Sequence, residues 1–228
     1  VFRDTGLVIG SDAGGLTFRY RPYLQSTAFV SEADPYFLWN HLKALDQEGE
    51  YFYDIEGVSG PPHTLYLYAP GGTSPAEHRV EIKSREYSFD LNWSSNVHLR
   101  ELEFLGGGIR CPVSSSHISM DDLVLRYCGS GLNSLWTGRA AIWIKGDGHK
   151  VLNSCIEFSY GGGLITLGTT TELRNNVIRD CLLYGIASWE SSNANVHHNT
   201  IFGIGSENIH MYSPAGRFNY NHCYHGGK

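Results

Sequence analysis

Carboxylates stand beside aromatic or basic residues at two places in the second half of the chain, and a third place at the same spacing carries a histidine and a tyrosine. They are Trp143, Lys145 and Asp147 in "IWIKGD", Trp189 and Glu190 in "IASWES", and His210 and Tyr212 in "IHMYSP". Two carboxylates on a groove can cleave a glycosidic bond, one as general acid and one as nucleophile or base, at about 5–5.5 Å apart for retention or about 6.5–9.5 Å for inversion. Aromatic rings beside them can pack on the C–H faces of sugars. Glu190 and Asp147 are therefore the candidate catalytic acids, and Trp143, Lys145, Trp189, His210 and Tyr212 the candidate substrate contacts. A β-elimination would need instead a Lys, Arg, His or Tyr base and a cation to neutralise a uronate, groups that Lys145, Arg110, Arg174 and Arg179 can supply. Asp180, Glu157, Asp121 and Asp122 are further acids, the last two falling at polar turn positions. His197 and His198 are consecutive, so on a strand they point to different sides and do not chelate one ion. No acidic cluster reads as a calcium site, and the pattern calls for no metal and no cofactor.

What positions these residues is a repeat. An apolar residue three before an anchor and another two after it recurs as Leu99/Leu102/Phe104, Met120/Leu123/Leu125, Val151/Ser154/Ile156, Leu173/Asn176/Ile178, Val196/Asn199/Ile201 and Phe218/Asn221/Cys223. All but one of the anchor steps are 21 to 23 residues, and the long one contains the Gly-rich "GSGLNSLWTGRA" from Gly129 to Ala140, read as a loop insertion. A second frame, starting at Ile142, Leu164, Ile186 and Ile209, keeps the same period of about 22 residues. Alternation at period two within the frames marks strands, and the Gly and Asn clusters between them mark turns. Short strands in a repeat of this length specify an all-β solenoid, a right-handed parallel β-helix, with handedness taken from the rule for parallel crossovers. Asn176, Asn199 and Asn221 are then expected to stack at one corner as an asparagine ladder.

In the second frame Ile142/Ile144, Leu164/Thr166, Ile186/Ser188 and Ile209/Met211 are expected to face inward. Trp143/Lys145, Ile165/Leu167, Ala187/Trp189 and His210/Tyr212 then face outward. Such an outward row either binds a sugar polymer or is covered by the N-terminal region or the Gly129–Ala140 loop. Glu190 and Asp147 lie two coils apart, about 9–10 Å at strand spacing, a distance compatible with inversion.

Composition agrees with this class: 41% hydrophobic residues fill a core, and 27 glycines suit a turn-dense β chain. A net charge of -6 argues against a nucleic-acid partner, and no apolar run is long enough for a membrane span. The five cysteines contain no CxxC pair; Cys128 and Cys181, at equivalent offsets, are two coils apart and too distant for a disulfide, so buried thiols are expected.

Residues 1–92 do not follow the period and are expected to form a β-rich N-terminal cap or insertion, with the coils in 93–228. "EYFYD" and "TLYLYAP" flank "IEGVSGPPH" as a hairpin with a longer loop, "HRVEIK" and "YSFDL" read as further strands, and "PYFLWNHLKALDQ" has the spacing of a short helix. The pairing of "ALDQEGEYFYD" with "TLYLYAP", and "VEIKSREYSFDL" leading into "SSNVHLRELEFLGGGI", resembles large bacterial right-handed β-helix proteins of the carbohydrate-active type. The resemblance runs from about Asp34 onward and differs in having "SGPPH" where a Gly commonly precedes "TLYLY". It implies a secreted or periplasmic protein related to β-helical glycoside hydrolases and, more distantly, to polysaccharide lyases. The expected partner is a polysaccharide or oligosaccharide, with a glycosidase as the first expectation and a lyase or a non-catalytic carbohydrate-binding or adhesive β-helix as alternatives. The chain begins without Met and stops after the first frame of a coil, so further coils and a cap are expected beyond Lys228.

Overall fold

A computed structural model of the chain describes residues 6–12, 15–20, 41–83, 85–129 and 140–227. It divides into two compact units, Thr27–Ile82 and a larger one of Val1–Ser26 with Lys83–Lys228. The larger unit is the solenoid. Three 6-stranded parallel sheets run along it, and each coil contributes one strand to each. The first sheet comprises Tyr87–Asp90, Gly108–Cys111, Ala140–Ile144, Gly162–Thr166, Tyr184–Trp189 and Glu207–Tyr212. The second comprises His98–Arg100, Ser119–Asp121, Lys150–Leu152, Glu172–Arg174, Asn195–His197 and Arg217–Asn219. The third comprises Glu103–Leu105, Val124–Arg126, Cys155–Glu157, Val177–Arg179, Thr200–Ile204 and His222–Gly226. Gly6–Asp12 and Gly15–Tyr20 form a separate antiparallel pair.

The parallel β-helix read from the two frames is what the chain forms, and the registers are the ones the frames specify. Ile142, Leu164, Ile186 and Ile209 stand in line, as do Val151, Leu173, Val196 and Phe218. Ile156, Ile178, Ile201 and Cys223 make the third inward row. These rows meet in one core, where Ile142, Ile156, Leu164, Leu173, Ile178, Ile186, Val196 and Ile201 are completely buried. Each such side chain contributes about 1.5–3 kcal/mol through removal from water. Three cysteines, Cys111, Cys128 and Cys181, fill small places in this core, and all five described thiols are free.

The corners explain why the coils stack. Asn96, His117, Gly148, Thr170 and Asn193 are all left-handed, as are Glu101, Asp122, Asn153, Asn175, His198 and Tyr220 at the next corner. Gly106, Tyr127, Phe158, Asp180 and Gly203 repeat the device at the third. A left-handed residue turns its N–H along the solenoid axis, and most of these donate to the carbonyl just before their counterpart in the next coil, as in Asp122 N to Leu152 O and Asn153 N to Arg174 O. Asn and Asp tolerate this conformation best among non-glycine residues, which accounts for many of the types found there.

Immediately after the second corner lies the ladder. Asn176 Oδ1 accepts from Ser154 N at 3.0 Å, Asn199 Oδ1 from Asn176 N at 2.9 Å, and Asn221 Oδ1 from Asn199 N at 3.0 Å. Their amide nitrogens donate back to the Val151, Leu173 and Val196 carbonyls, each at 2.9 Å. The amides thus satisfy strand-end groups that the bend leaves without ladder partners. Outside the core, the third sheet carries Arg126, Glu157 and Arg179 in one row. The Glu157 carboxylate is buried and accepts from both guanidinium groups. Burial alone raises its carboxyl, but Arg126 and Arg179 outweigh that and hold it below the usual range.

The N-terminal readings need three corrections. Tyr87–Asp90 already pairs with Gly108–Cys111, so the solenoid starts within the segment assigned to residues 1–92. "HRVEIK" forms no strand, because the prolines and glycines of "APGGTSPAEH" commit the preceding residues to two 3₁₀ turns, and His78–Lys83 finds no strand partner among the described residues. Of "PYFLWNHLKALDQ", the described part contains one 3₁₀ turn, Leu42–Ala44, and the rest lies outside the described residues. The hairpin is present in the smaller unit: Tyr51–Asp54 pairs antiparallel with Thr64–Leu67. Its loop winds round the buried Asp54 carboxylate, which accepts from the N–H groups of Gly57, Val58 and Ser59 at 2.7–3.0 Å. Where a Gly commonly precedes the second strand, His63 itself adopts φ 62°.

Replacing Asn199 by Leu strands the Asn176 N–H and the Leu173 carbonyl, and urea unfolding is expected to show a loss of about 1–3 kcal/mol. An unchanged midpoint would mean that the ladder does not hold the coils. Because the Glu157 carboxyl is depressed in the folded state, its stabilisation is present above the ordinary carboxylate pKa of about 4.3 and disappears as pH falls through the folded value. Glu157→Gln should therefore lower the Tm at pH 7, with the gap to the parent closing below about pH 4.

Candidate functional site on the outer face of the first sheet

The outward phase read from the second frame is correct: Trp143, Ile165, Ala187 and His210 occupy one row of the first sheet, and Trp189 pairs with Tyr212 in the next. They form a hydrophobic cluster separate from the core, with Ala140, Trp143, Ile165, Ala187 and Trp189 buried and Leu167 and Tyr184 against them. This changes what the row is. Trp143 and Trp189 are each only 6% exposed, so they are not rungs of an open groove as expected. Of the covers expected for this face, the loop after Gly129 lies outside the described residues, while Ala140 at its end belongs to the cluster. The Arg110 guanidinium, held by Asp90 at 2.9 Å, lies 5.4 Å from the centre of the Trp143 ring and closes the cluster at the coil below.

The accessible part of this face is at its other end. Tyr212 is 70% exposed, and His210 is partly exposed in the row beside it. His210 Nδ1–H donates to Glu207 Oε2 at 2.6 Å. The imidazole stands 5.3 Å from the Tyr184 ring and 5.7 Å from the Trp189 ring, while Tyr184 and Trp189 meet edge to face at 5.4 Å. Tyr184 and Glu207 face each other in register across neighbouring strands, and burial is the first cause that raises the Tyr184 hydroxyl pKa, with Glu207 adding to it. A carboxylate accepts only, so the bond to Glu207 places a proton on Nδ1, and in the neutral form of the ring Nε2 then carries the lone pair. That is the geometry of a base oriented by an acid, set against aromatic walls.

Neither Tyr184 nor Glu207 was singled out in the sequence. The frame could not have found them: two residues upstream of Ile186 and Ile209 is an inward position, whereas Gly185 faces Ile201 of the core and Tyr184 packs on the outer cluster, so the alternation is interrupted there.

The acids expected to work together are not brought together. Asp147 sits at the corner after its strand, in line with Ser116 and Thr169. Its carboxylate accepts from the Thr169 hydroxyl, the main cause of its lowered pKa, and is opposed by burial. Glu190 follows the end of the Trp189 strand in a left-handed bend with φ 52°, is exposed, and donates its N–H to the Tyr212 carbonyl at 2.6 Å. The two residues occupy different rows and strands two coils apart, a separation of about 9–10 Å along the stack before the row offset is added. Lys145 is exposed at the end of its strand, three coils from His210. Of the further candidates, Glu157 and Arg179 belong to the ion-pair row of the third sheet and Asp122 to a corner, while Asp121 accepts from Asn153 Nδ2 at 2.7 Å. Arg174 faces Glu172 at 3.5 Å on the second sheet.

A family model described as a right-handed β-helix region matches residues 107–228, more than half of the chain, and the protein belongs to that family. No curated protein and no solved structure matches it. The family's fold is compatible with carbohydrate-active or carbohydrate-binding roles.

The burial of Trp143 fixes a measurable expectation. Trp143→Ala should cost stability, about 3–5 kcal/mol by thermal or urea unfolding, as for a truncated buried aromatic. A stable Trp143→Ala protein would return this ring to the list of ligand contacts.

Proposed function

We propose that this protein is carbohydrate-active and acts on a glycan at the Tyr184–Trp189–Glu207–His210–Tyr212 end of the first sheet, with His210 as the proton acceptor. The observation that carries the reading is the His210–Glu207 bond of 2.6 Å beside an exposed Tyr212 ring. Tyr212 offers a face for a sugar ring, and Glu207 keeps the His210 Nε2 lone pair turned away from itself. A neutral imidazole base suits abstraction of the acidic C–H next to a uronate carboxylate, the first step of β-elimination. The expelled glycosidic oxygen takes a proton from water, the abstracted proton returns from His210 to solvent, and the sugar left behind carries the new C=C bond. Hydrolysis by two carboxylates, the first expectation from sequence, has less support. Glu190 lies one residue past the Trp189–Tyr212 pair, six residues along the strand direction from Glu207 and so about 20 Å at strand rise, beyond the about 6.5–9.5 Å of an inverting pair.

The test is a panel of uronate-containing and neutral polysaccharides, followed both by unsaturated-uronate absorbance and by reducing-end release. His210→Gln should lower formation of unsaturated product by at least about 10²-fold, the usual scale for a general base. Glu207→Gln should lower kcat more than it raises KM, because it disturbs the imidazole and not the sugar contact. New reducing ends without unsaturation would assign a hydrolase, and binding without any product would leave a carbohydrate-binding β-helix.

A further inference from the structure

A second site lies on the second sheet, at the corner leading into it. Asn96, His98, His117, Ile118, Ser119, Gly148 and Lys150 line a cleft of about 240 Å³. Parallel register builds it: His98, Ser119 and Lys150 stand side by side on successive coils, while Asn96, His117 and Gly148 share the corner row alongside. Gly148 makes room for the His117 ring at the edge of the cleft. Its φ is 66°, and a Cβ there would come within 2.9 Å of His117 Cδ2 and 3.0 Å of Nε2, so the imidazole lies flat on bare backbone. Under the cleft, the buried His149 takes no charge: burial pushes it down to about 4. It accepts from Ile118 N at Nδ1 and meets Ser115 Oγ at Nε2, fixing the corner from within.

The lining is rich in donors and poor in acids. Lys150 Nζ is 3.4 Å from Glu172, but the same carboxylate also faces Arg174 at 3.5 Å and His197 at 3.7 Å, so it does not neutralise Lys150 alone. Asp147, the acid nearest His117, is engaged by the Thr169 hydroxyl. The residues that line this one small space therefore carry an ammonium, two imidazoles, a hydroxyl and an amide, and no carboxylate. That set suits an oxyanion bound by charge-assisted hydrogen bonds. We propose that this cleft is an anchoring subsite for the acid group of a glycan, a carboxylate or a sulfate ester, separate from the site on the first sheet. Only the class of ligand rests on the preceding reading; the cleft itself does not.

The experiment is a titration of the full chain with a galacturonate oligomer, a sulfated oligosaccharide, a neutral oligosaccharide and inorganic sulfate, following imidazole NMR signals. His117→Asn, a type already present in that corner row at Asn96 and Asn193, keeps a residue that tolerates the left-handed backbone. It also assigns the His117 signal, and Lys150→Gln removes the charge. The acidic oligosaccharides should shift His98 and His117 while the neutral one does not, and Lys150→Gln should weaken that binding about tenfold, the effect of one charge-assisted contact. Response to inorganic sulfate alone would overturn the glycan assignment, and no response to any anion would overturn the site. In His210→Gln the same shifts should persist, and a parent protein that shows these shifts but turns over no glycan sinks only the first-sheet reading. Turnover in the parent without any shift of His98 or His117 sinks only this one.

Discussion

Every part of the solenoid depends on one requirement: a strand must turn a corner without leaving its backbone groups unpaired. A parallel coil achieves this only if its corner residues send their N–H groups along the axis to the next coil, and a left-handed backbone provides that direction. The rows Glu101 to Tyr220 and Asn96 to Asn193 show the device repeated coil after coil. Once corners are stacked, each strand falls into register with its predecessor, the aliphatic rows align, and the core follows. The Asn176–Asn199–Asn221 ladder follows a corner where the bend leaves carbonyls that the amide side chains reach instead.

The same register makes sites out of distant residues. Positions about 22 residues apart in sequence become neighbours at strand spacing, so a row of one chemistry needs only one residue per repeat. The three sheets use this differently. The third carries Arg126, Glu157 and Arg179 as an ion-pair row, whose central carboxylate is fully engaged and serves the fold. The first carries an apolar outer row that ends in the Glu207–His210 pair. On the second, donors gather where Gly148 leaves a gap in an otherwise filled corner row. Both proposed sites fall where a row is interrupted, by a glycine or by the passage from apolar to titratable residues.

Burial of Trp143 and Trp189 shows why an outward position is not the same as a surface position. Alternation along a strand decides the side of the sheet, and on that point the frame was right. Whether that side meets water depends on what else packs there, and a single strand carries no record of it. The row is one of the places in the larger unit where a second hydrophobic cluster forms outside the solenoid core, and the Arg110 guanidinium on Trp143 caps it with charge already paired to Asp90.

The amino-acid sequence by itself determined the architecture: the period, the two frames, the inward rows, the asparagine ladder and the hairpin of the smaller unit. These are legible because each rests on local periodicity, where one residue type must recur at a fixed interval to fill a core or a corner. What the sequence left undetermined was which polar side chains meet. Asp147 and Glu190 looked like partners because both follow aromatic strands, yet one residue of offset puts Asp147 in a corner with Thr169 and Glu190 beside Tyr212. Glu207 and Tyr184, unremarkable in sequence, face each other because parallel pairing aligns strands by backbone hydrogen bonds, indifferent to what the side chains can do. His98, His117 and Lys150 converge for the same reason, across an insertion that hides their spacing. Only the stacked corners, which set the axial and lateral position of every coil at once, decided those meetings.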